Sequence, residues 1–155
     1  MKTKTLLLGL GNDILTDDGI GPKLVNDLQN ELSKENFDFL NVCVGGLELL
    51  DHMQGYDTVF ILDAIKTENG KPGDVYFLST KDFKETSHIS NLHDINFLTA
   101  LKLAEKLSIT VPSNIHIIAV EIIEDRVFSE KFSPELEVRY MEIKKKVKEF
   151  IFSRP

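Results

Sequence analysis

Two carboxylates and one imidazole stand at points of this sequence where the predicted secondary structure changes. Asp18 ends a glycine-rich loop, Asp63 follows an apolar, β-favouring run, and His93 precedes a helical stretch. Carboxylate oxygen and imidazole nitrogen together suit a borderline divalent cation such as zinc or nickel. Three protein ligands would leave coordination positions open for water or a substrate group. The three residues therefore predict an open metal-binding site.

Each of these residues, taken alone, also has a simpler interpretation. The pair Asp17 and Asp18 is typical of a helix N-terminus, where the macrodipole stabilises carboxylates. Asp63 at the end of a hydrophobic strand must be paired or ligated, because a buried carboxylate loses its hydration; a structural salt bridge would satisfy it as well as a metal. His93 is a polar residue at a helix start. Their combination at one crevice favours the metal site.

The elements that must position these side chains alternate between strand and helix. The predicted strands cover 3–8, 39–44, 58–62, 75–78 and 115–120, and the predicted helices begin near 20, 48, 95 and 134. Ser133 is the expected N-cap of the last helix, with Pro134 at its first position. Alternation with strongly apolar strands predicts one domain, residues 1–155, built as a three-layer α/β/α sandwich around a mostly parallel, five-stranded twisted sheet. Ligands of such sheets bind beyond the carboxyl ends of the strands.

Composition excludes several classes of function. The chain has 155 residues, with 25 acidic against 18 basic side chains and a formal net charge of −7, which argues against a nucleic-acid surface. No apolar run approaches the roughly 20 residues of a membrane span, and the N-terminal run ending at Gly9 is too short for a signal-peptide core. Cys43 is the single cysteine, so we expect a reducing compartment. The sequence predicts a cytoplasmic protein, expected to be monomeric.

Familiar catalytic signatures do not account for the glycine-rich loop. The Gly9-x-Gly11 pattern after a strand is only weakly typical of dinucleotide binding, since Ile14 occupies the position of the third glycine. The common zinc-protease and serine-hydrolase motifs are absent from the sequence. Nucleotide binding is therefore disfavoured, and the acidic residues of the loop need another explanation.

A known family provides that explanation. Residues 9–21, Gly-Leu-Gly-Asn-Asp-Ile-Leu-Thr-Asp-Asp-Gly-Ile-Gly, closely resemble the opening motif of the [NiFe]-hydrogenase maturation endopeptidases. That motif runs Gly-x-Gly-Asn, three or four residues, Asp, an acidic residue, a small residue, an aliphatic residue and Gly. Residues 61–64 look like the family's second acidic site, and 92–96 look like its histidine segment. The order of strands and helices agrees from residue 3 to about residue 151.

The resemblance implies a specific activity. Members of the family remove a C-terminal extension from the precursor of the hydrogenase large subunit after nickel insertion. They recognise the bound nickel through an acidic residue, an Asp and a His, which become Asp18, Asp63 and His93 here. The resemblance also implies that the two carboxylates are catalytic, that the precursor supplies the nickel, and that another divalent cation can take its place in crystals. Gly45 and Gly46 would contact substrate, in a loop shorter than the family's and without its Thr.

Three alternatives stay open at this point. His88 competes with His93 as the ligand, although the flanking Asp-Ile-Asn favours His93. A phospho-acceptor receiver domain also carries an acidic pair after its first strand and an Asp at the end of its third, but it needs a Lys after the last strand, where this chain has Glu121. A non-catalytic homologue that only recognises a metal-loaded partner would present the same ligands.

Overall fold

The computed structural model describes residues 3–32, 36–85 and 92–154, and for 83–85 and 92–96 the description covers the backbone. The described strands are β1 (Thr5–Leu10), β2 (Phe37–Val42), β3 (Thr58–Ile65), β4 (Val75–Ser79) and β5 (Asn114–Glu121). The described helices are α1 (Ile20–Glu31), α2 (Leu47–Met53), α3 (Thr80–Glu85), α4 (Leu92–Lys106), α5 (Pro134–Glu137) and α6 (Tyr140–Phe152). A 3-10 turn, Thr16–Gly19, precedes α1.

The strands form one sheet in the order β2-β1-β3-β5-β4. Neighbouring strands are parallel except β4, which runs antiparallel to β5 at the edge. This topology confirms the predicted mostly parallel, five-stranded sheet. The carboxyl ends of β1, β3 and β5 therefore share one edge, which is where an open α/β sheet binds its ligands.

Helices cover both faces of the sheet, because successive strand side chains point to opposite sides. In β1, Leu7 packs in one core with residues of α1, α5 and α6. Its neighbours Leu6 and Leu8 pack in the other core with residues of α2 and α4. All eight residues of β3 are buried, as expected of a central parallel strand. The predicted three-layer arrangement is thus confirmed. Within the described ranges, no helix has the length and apolar character to cross a membrane.

Several element boundaries differ from the predictions. Strand β3 continues past Asp63 to Ile65, because β5 pairs with it as far as Ile65 and Glu121; Asp63 thus lies inside the strand and not after it. Strand β2 begins and ends two residues earlier than predicted, in register with β1. The predicted last helix is divided into α5 and α6, although its apolar stripe is buried as expected: Leu136, Tyr140, Ile143, Val147 and Ile151. Helix α3 was not predicted.

Candidate functional site

The start of α1 packs directly against the last residue of β1 and against Leu62 of β3. A β-carbon on Gly21 would collide with the carbonyl oxygen of Leu62 and lie 2.8 Å from that of Leu10. Only glycine allows a backbone approach this close. Because Asp18 lies three residues before Gly21 and Asp63 follows Leu62 directly, this contact brings both carboxylate-bearing segments to the same edge of the sheet. Asp18 and Asp63 thus both lie towards the carboxyl ends of the parallel strands, although β3 continues two residues beyond Asp63, and their assembly into one site stays a prediction.

The loop between β1 and α1 folds back so that its beginning touches its end. Gly11 has a φ of 144°, and a β-carbon there would collide with the backbone oxygen of Asp18. The neighbouring amide of Asn12 donates a 2.8 Å hydrogen bond to Oδ2 of Asp18. A charge-assisted bond from a backbone N–H restricts the rotation of the carboxylate. Asp18 is thus half-buried and oriented by its own loop.

Asp63 presents a carboxylate in a more enclosed position. Its residue is only 5% exposed, and its Oδ1 accepts a 2.8 Å hydrogen bond from the backbone N–H of Ala64. A buried carboxylate requires hydrogen bonds or ligands to offset the loss of hydration. The expectation that Asp63 stands in a desolvated position is confirmed.

Asp17 and Asp18 are adjacent in the motif but make different contacts. Asp17 is fully buried, and its carboxylate accepts hydrogen bonds from Ser133 N (2.7 Å), Ser133 Oγ (2.8 Å), Glu124 N (3.0 Å) and Ile123 N (3.2 Å). Helix α1 has Gly19 at its N-cap and no side-chain cap. The pair does lie in the 3-10 turn before α1, but the Asp17 side chain does not cap a helix, because its donors come from the segment after β5.

That segment, residues 122–133, is a part of the site that the sequence analysis missed. Its Ser129 O accepts the amide of Thr16 at 2.9 Å, and its Val127 O accepts the Thr16 hydroxyl at 2.6 Å. Thr16 has a φ of 51°, which costs on the order of 1–3 kcal/mol for a β-branched residue. The contacts with 122–133 offset that cost and hold the motif loop in shape.

Ser133 occupies the predicted N-cap position, but its side chain contacts a residue far away in the sequence. It stands at the N-cap of α5 with Pro134 next to it, as predicted, but its side chain makes no capping hydrogen bond. Its hydroxyl instead donates to Asp17 Oδ2, 116 residues away in sequence. The sequence carries no signal for this contact, because the burial of Asp17 and its need for distant donors arise only in the folded chain.

Glu121 is a second buried acid at this edge that the sequence analysis did not assign to the site. It ends β5, is 2% exposed, and accepts hydrogen bonds from Thr67 N (2.7 Å), Thr67 Oγ1 (2.9 Å) and Tyr76 Oη (3.2 Å). Burial and the neighbouring Glu121 carboxylate raise the pKa of Tyr76. Glu121 therefore fastens the loop after β3 and occupies the place where a receiver domain would carry its Lys.

The remaining predicted site residues have a more limited description. His93 lies in the first turn of α4, with its side chain outside the described atoms, and His88 lies outside the described residues. Gly45 and Gly46 form the loop before α2, where Gly46 is the N-cap with a φ of 63°. Among the described side chains, no three His, Cys, Asp or Glu residues are grouped to hold a metal. The set of Asp18, Asp63 and His93 stays a prediction.

Comparison with known protein sequences finds hydrogenase maturation proteases in two independent ways. A family model described as hydrogenase maturation protease matches residues 22–151. The hydrogenase 2 maturation protease of Escherichia coli K12 is 34% identical over 80 residues, which are 51% of this chain and 49% of that relative; the matched part thus spans about half of the curated relative.

Solved structures share the fold along nearly the whole chain. The hydrogenase-maturating endopeptidase HybD of E. coli superposes with a TM-score of 0.76 at 22% identity, covering 94% of this chain and 90% of that one. The [NiFe] hydrogenase maturation protease HybD of Thermococcus kodakarensis gives 0.72 at 25% identity, covering 96% and 99%. The α/β architecture of this chain is therefore that of the endopeptidases.

Proposed function

This chain belongs to the hydrogenase maturation protease family, a family of hydrolases, and from that premise we propose that it is an endopeptidase of [NiFe]-hydrogenase maturation. Its substrate is the precursor of the hydrogenase large subunit, and it removes the C-terminal extension after nickel has been inserted. The observation that carries this proposal is the contact of Gly21 with Leu62, which joins the Asp18 loop to the Asp63 strand. A peptide bond presented at that edge would meet both carboxylate-bearing segments.

The proposed roles follow from the chemistry of the side chains. Asp18 and Asp63 offer carboxylate oxygens and His93 an imidazole nitrogen, a donor set that suits nickel. The nickel belongs to the substrate: it arrives in the precursor, and these three residues take its remaining coordination positions. The scissile bond, which lies just beyond the nickel-ligating segment of the precursor, is thereby fixed near the carboxylates. Gly45 and Gly46 are proposed to contact the substrate beside α2.

Two routes can then activate the attacking water. In the first, one carboxylate accepts a proton from the water. In the second, the ion lowers the pKa of the water and polarises the scissile carbonyl. A metal-free pair of carboxylates sharing one proton would require close approach of the two groups. We favour a role for the ion, because two carboxylates and one imidazole together form a donor set that suits nickel. We further propose that the protein works as a cytoplasmic monomer; the exposed free thiol of Cys43 fits a reducing compartment.

The deciding experiment incubates the purified protein with nickel-loaded and nickel-free forms of the precursor. Intact-mass spectrometry of the nickel-loaded reaction should show two products, the shortened subunit and the released tail, whose masses sum to the precursor plus one water. The nickel-free precursor with a chelator should stay intact. Asp63→Asn is the matched control and should leave both precursors intact.

Each other outcome contradicts a different part of the proposal. Binding of the nickel-loaded precursor without any cleavage would identify a recognition protein and not a protease. Efficient, correct cleavage of the nickel-free precursor in chelator would show that nickel neither gates nor assists the reaction.

A further inference from the structure

The strongest unassigned feature of the molecule is the buried carboxylate of Asp17. Asp17 is next to the proposed catalytic Asp18 in sequence, yet it is fully buried, and its side chain is directed into the segment 122–133. We propose that Asp17 is a positioning residue: by fastening the motif loop to 122–133, it fixes the direction in which Asp18 presents its carboxylate. This inference rests on the proposed function for its kinetic consequence, but its structural part can be tested separately.

The hydrogen bonds of Asp17 show why the anchor is rigid. Oδ1 accepts the amide of Ser133, while Oδ2 accepts the Ser133 hydroxyl and the amides of Ile123 and Glu124. The backbone reinforces them, because the amide of Asp17 donates to the carbonyl of Glu124 at 2.9 Å. The side chain and the backbone amide of Asp17 are thus both hydrogen-bonded to the segment 122–133.

The geometry of the turn transmits this constraint to the next residue. Residues 16–19 form a 3-10 turn, in which successive side chains point about 120° apart. With the side chain of Asp17 directed into 122–133, that of Asp18 must point elsewhere, and its Oδ2 there accepts the amide of Asn12. The left-handed backbone of Thr16, held by Ser129 and Val127, fixes the entry into this turn.

The chemistry of the anchor requires a carboxylate. All four groups that meet the Asp17 side chain are hydrogen-bond donors. An asparagine has one acceptor oxygen and one NH2 group, so in either orientation its NH2 faces at least one of these donors. Asp17→Asn therefore preserves the volume of the side chain but loosens its contact with 122–133.

The test compares Asp17→Asn with wild type and with Ile143→Ala, a core variant in α6 that destabilises the fold by leaving a cavity. All are assayed on the nickel-loaded precursor at a temperature at which circular dichroism shows them folded. We expect kcat of Asp17→Asn to fall about 100-fold, the cost of displacing a reacting group by roughly 1 Å, with KM close to wild type. Ile143→Ala should keep wild-type kcat. Ser133→Ala removes one donor and should give a smaller loss of kcat; it decides the question if Asp17→Asn does not fold.

An activity-independent readout separates this inference from the proposed function. Hydrogen exchange of the Asn12 amide, which binds Asp18, should accelerate in Asp17→Asn and Ser133→Ala but not in Ile143→Ala. If wild type cleaves nothing while this exchange pattern holds, the proposed function fails and the positioning role stands. Two results would overturn the inference. One is wild-type kcat together with unchanged Asn12 exchange in folded Asp17→Asn and Ser133→Ala. The other is a loss of kcat in Ile143→Ala equal to that in Asp17→Asn.

Discussion

The backbone of Gly21 lies against the carbonyl oxygen of Leu62 so closely that no β-carbon fits between them. This contact ties the first turn of α1 to the strand that carries Asp63, and it fixes the distance between that strand and the Asp18 loop. The last glycine of the motif in residues 9–21 is therefore explained by packing at the sheet edge. The same edge holds Asp17 and Glu121, two buried acids that fasten the surrounding loops.

Replacing this glycine should separate the two carboxylate-bearing segments. Gly21→Ala forces α1 away from β3, and such overpacking costs about 1–3 kcal/mol of unfolding free energy. Urea titration followed by circular dichroism measures that loss, and precursor cleavage should fall with it. Asn30→Ala, at an exposed position of the same helix, is the control and should change stability by less than about 0.5 kcal/mol. Equal stability of both variants would contradict the close contact.

Asp63→Asn should separate function from stability. The amide oxygen of Asn can still accept the hydrogen bond from Ala64 N, so the melting temperature should stay near that of wild type while processing is lost. If Asp63 instead anchors a buried ion pair, the same change should destabilise the fold by about 3–5 kcal/mol. Differential scanning calorimetry distinguishes the two cases, and a fully active variant would exclude Asp63 from the chemistry.

How far the sequence predicts the site depends on whether a feature is local. The sequence predicts that Asp18 and Asp63 lie towards the carboxyl ends of the strands, because apolar strands alternating with helices imply a parallel sheet whose carboxyl edge binds ligands. The end of β3 differs from the prediction, because a charged residue in a sequence suggests a strand end, whereas pairing with β5 continues to Ile65.

The anchor of Asp17 could not be found in this way. Its donors are separated from it by 106–116 residues, and no spacing rule connects positions that distant. The local sequence around each residue favours a different role, because Ser and Asp are both typical helix N-caps. In the structure the Ser133 hydroxyl donates a hydrogen bond to the Asp17 carboxylate instead.

The choice between the two histidines can be made with a matched pair of variants. We expect His93→Ala to abolish cleavage of the nickel-loaded precursor, because it removes the imidazole of the proposed ligand set, while His88→Ala cleaves normally. Both substitutions lie in the same stretch of sequence before and within α4, so general disturbance of that stretch should affect them alike. Precursor processing followed by gel mobility is sufficient as a readout. The reverse pattern would assign the ligand role to His88.

A last prediction concerns acid stability and lies away from the site. Lys144 and Lys148 of α6 donate hydrogen bonds of 2.7 and 2.8 Å to Glu31 at the end of α1, and these contacts lower the pKa of Glu31 from 4.5 to about 2. Because the folded-state pKa lies below the unfolded value, Glu31 stabilises the fold above pH 4.5, and this contribution is lost as the pH falls from 4.5 towards 2. The difference in melting temperature between wild type and Glu31→Gln should therefore be constant near neutral pH and shrink across that window. Salt should weaken this difference as well, since both ion pairs are partly exposed. A difference that persists unchanged at pH 2 would show that the ionised carboxylate of Glu31 is not what joins α1 to α6.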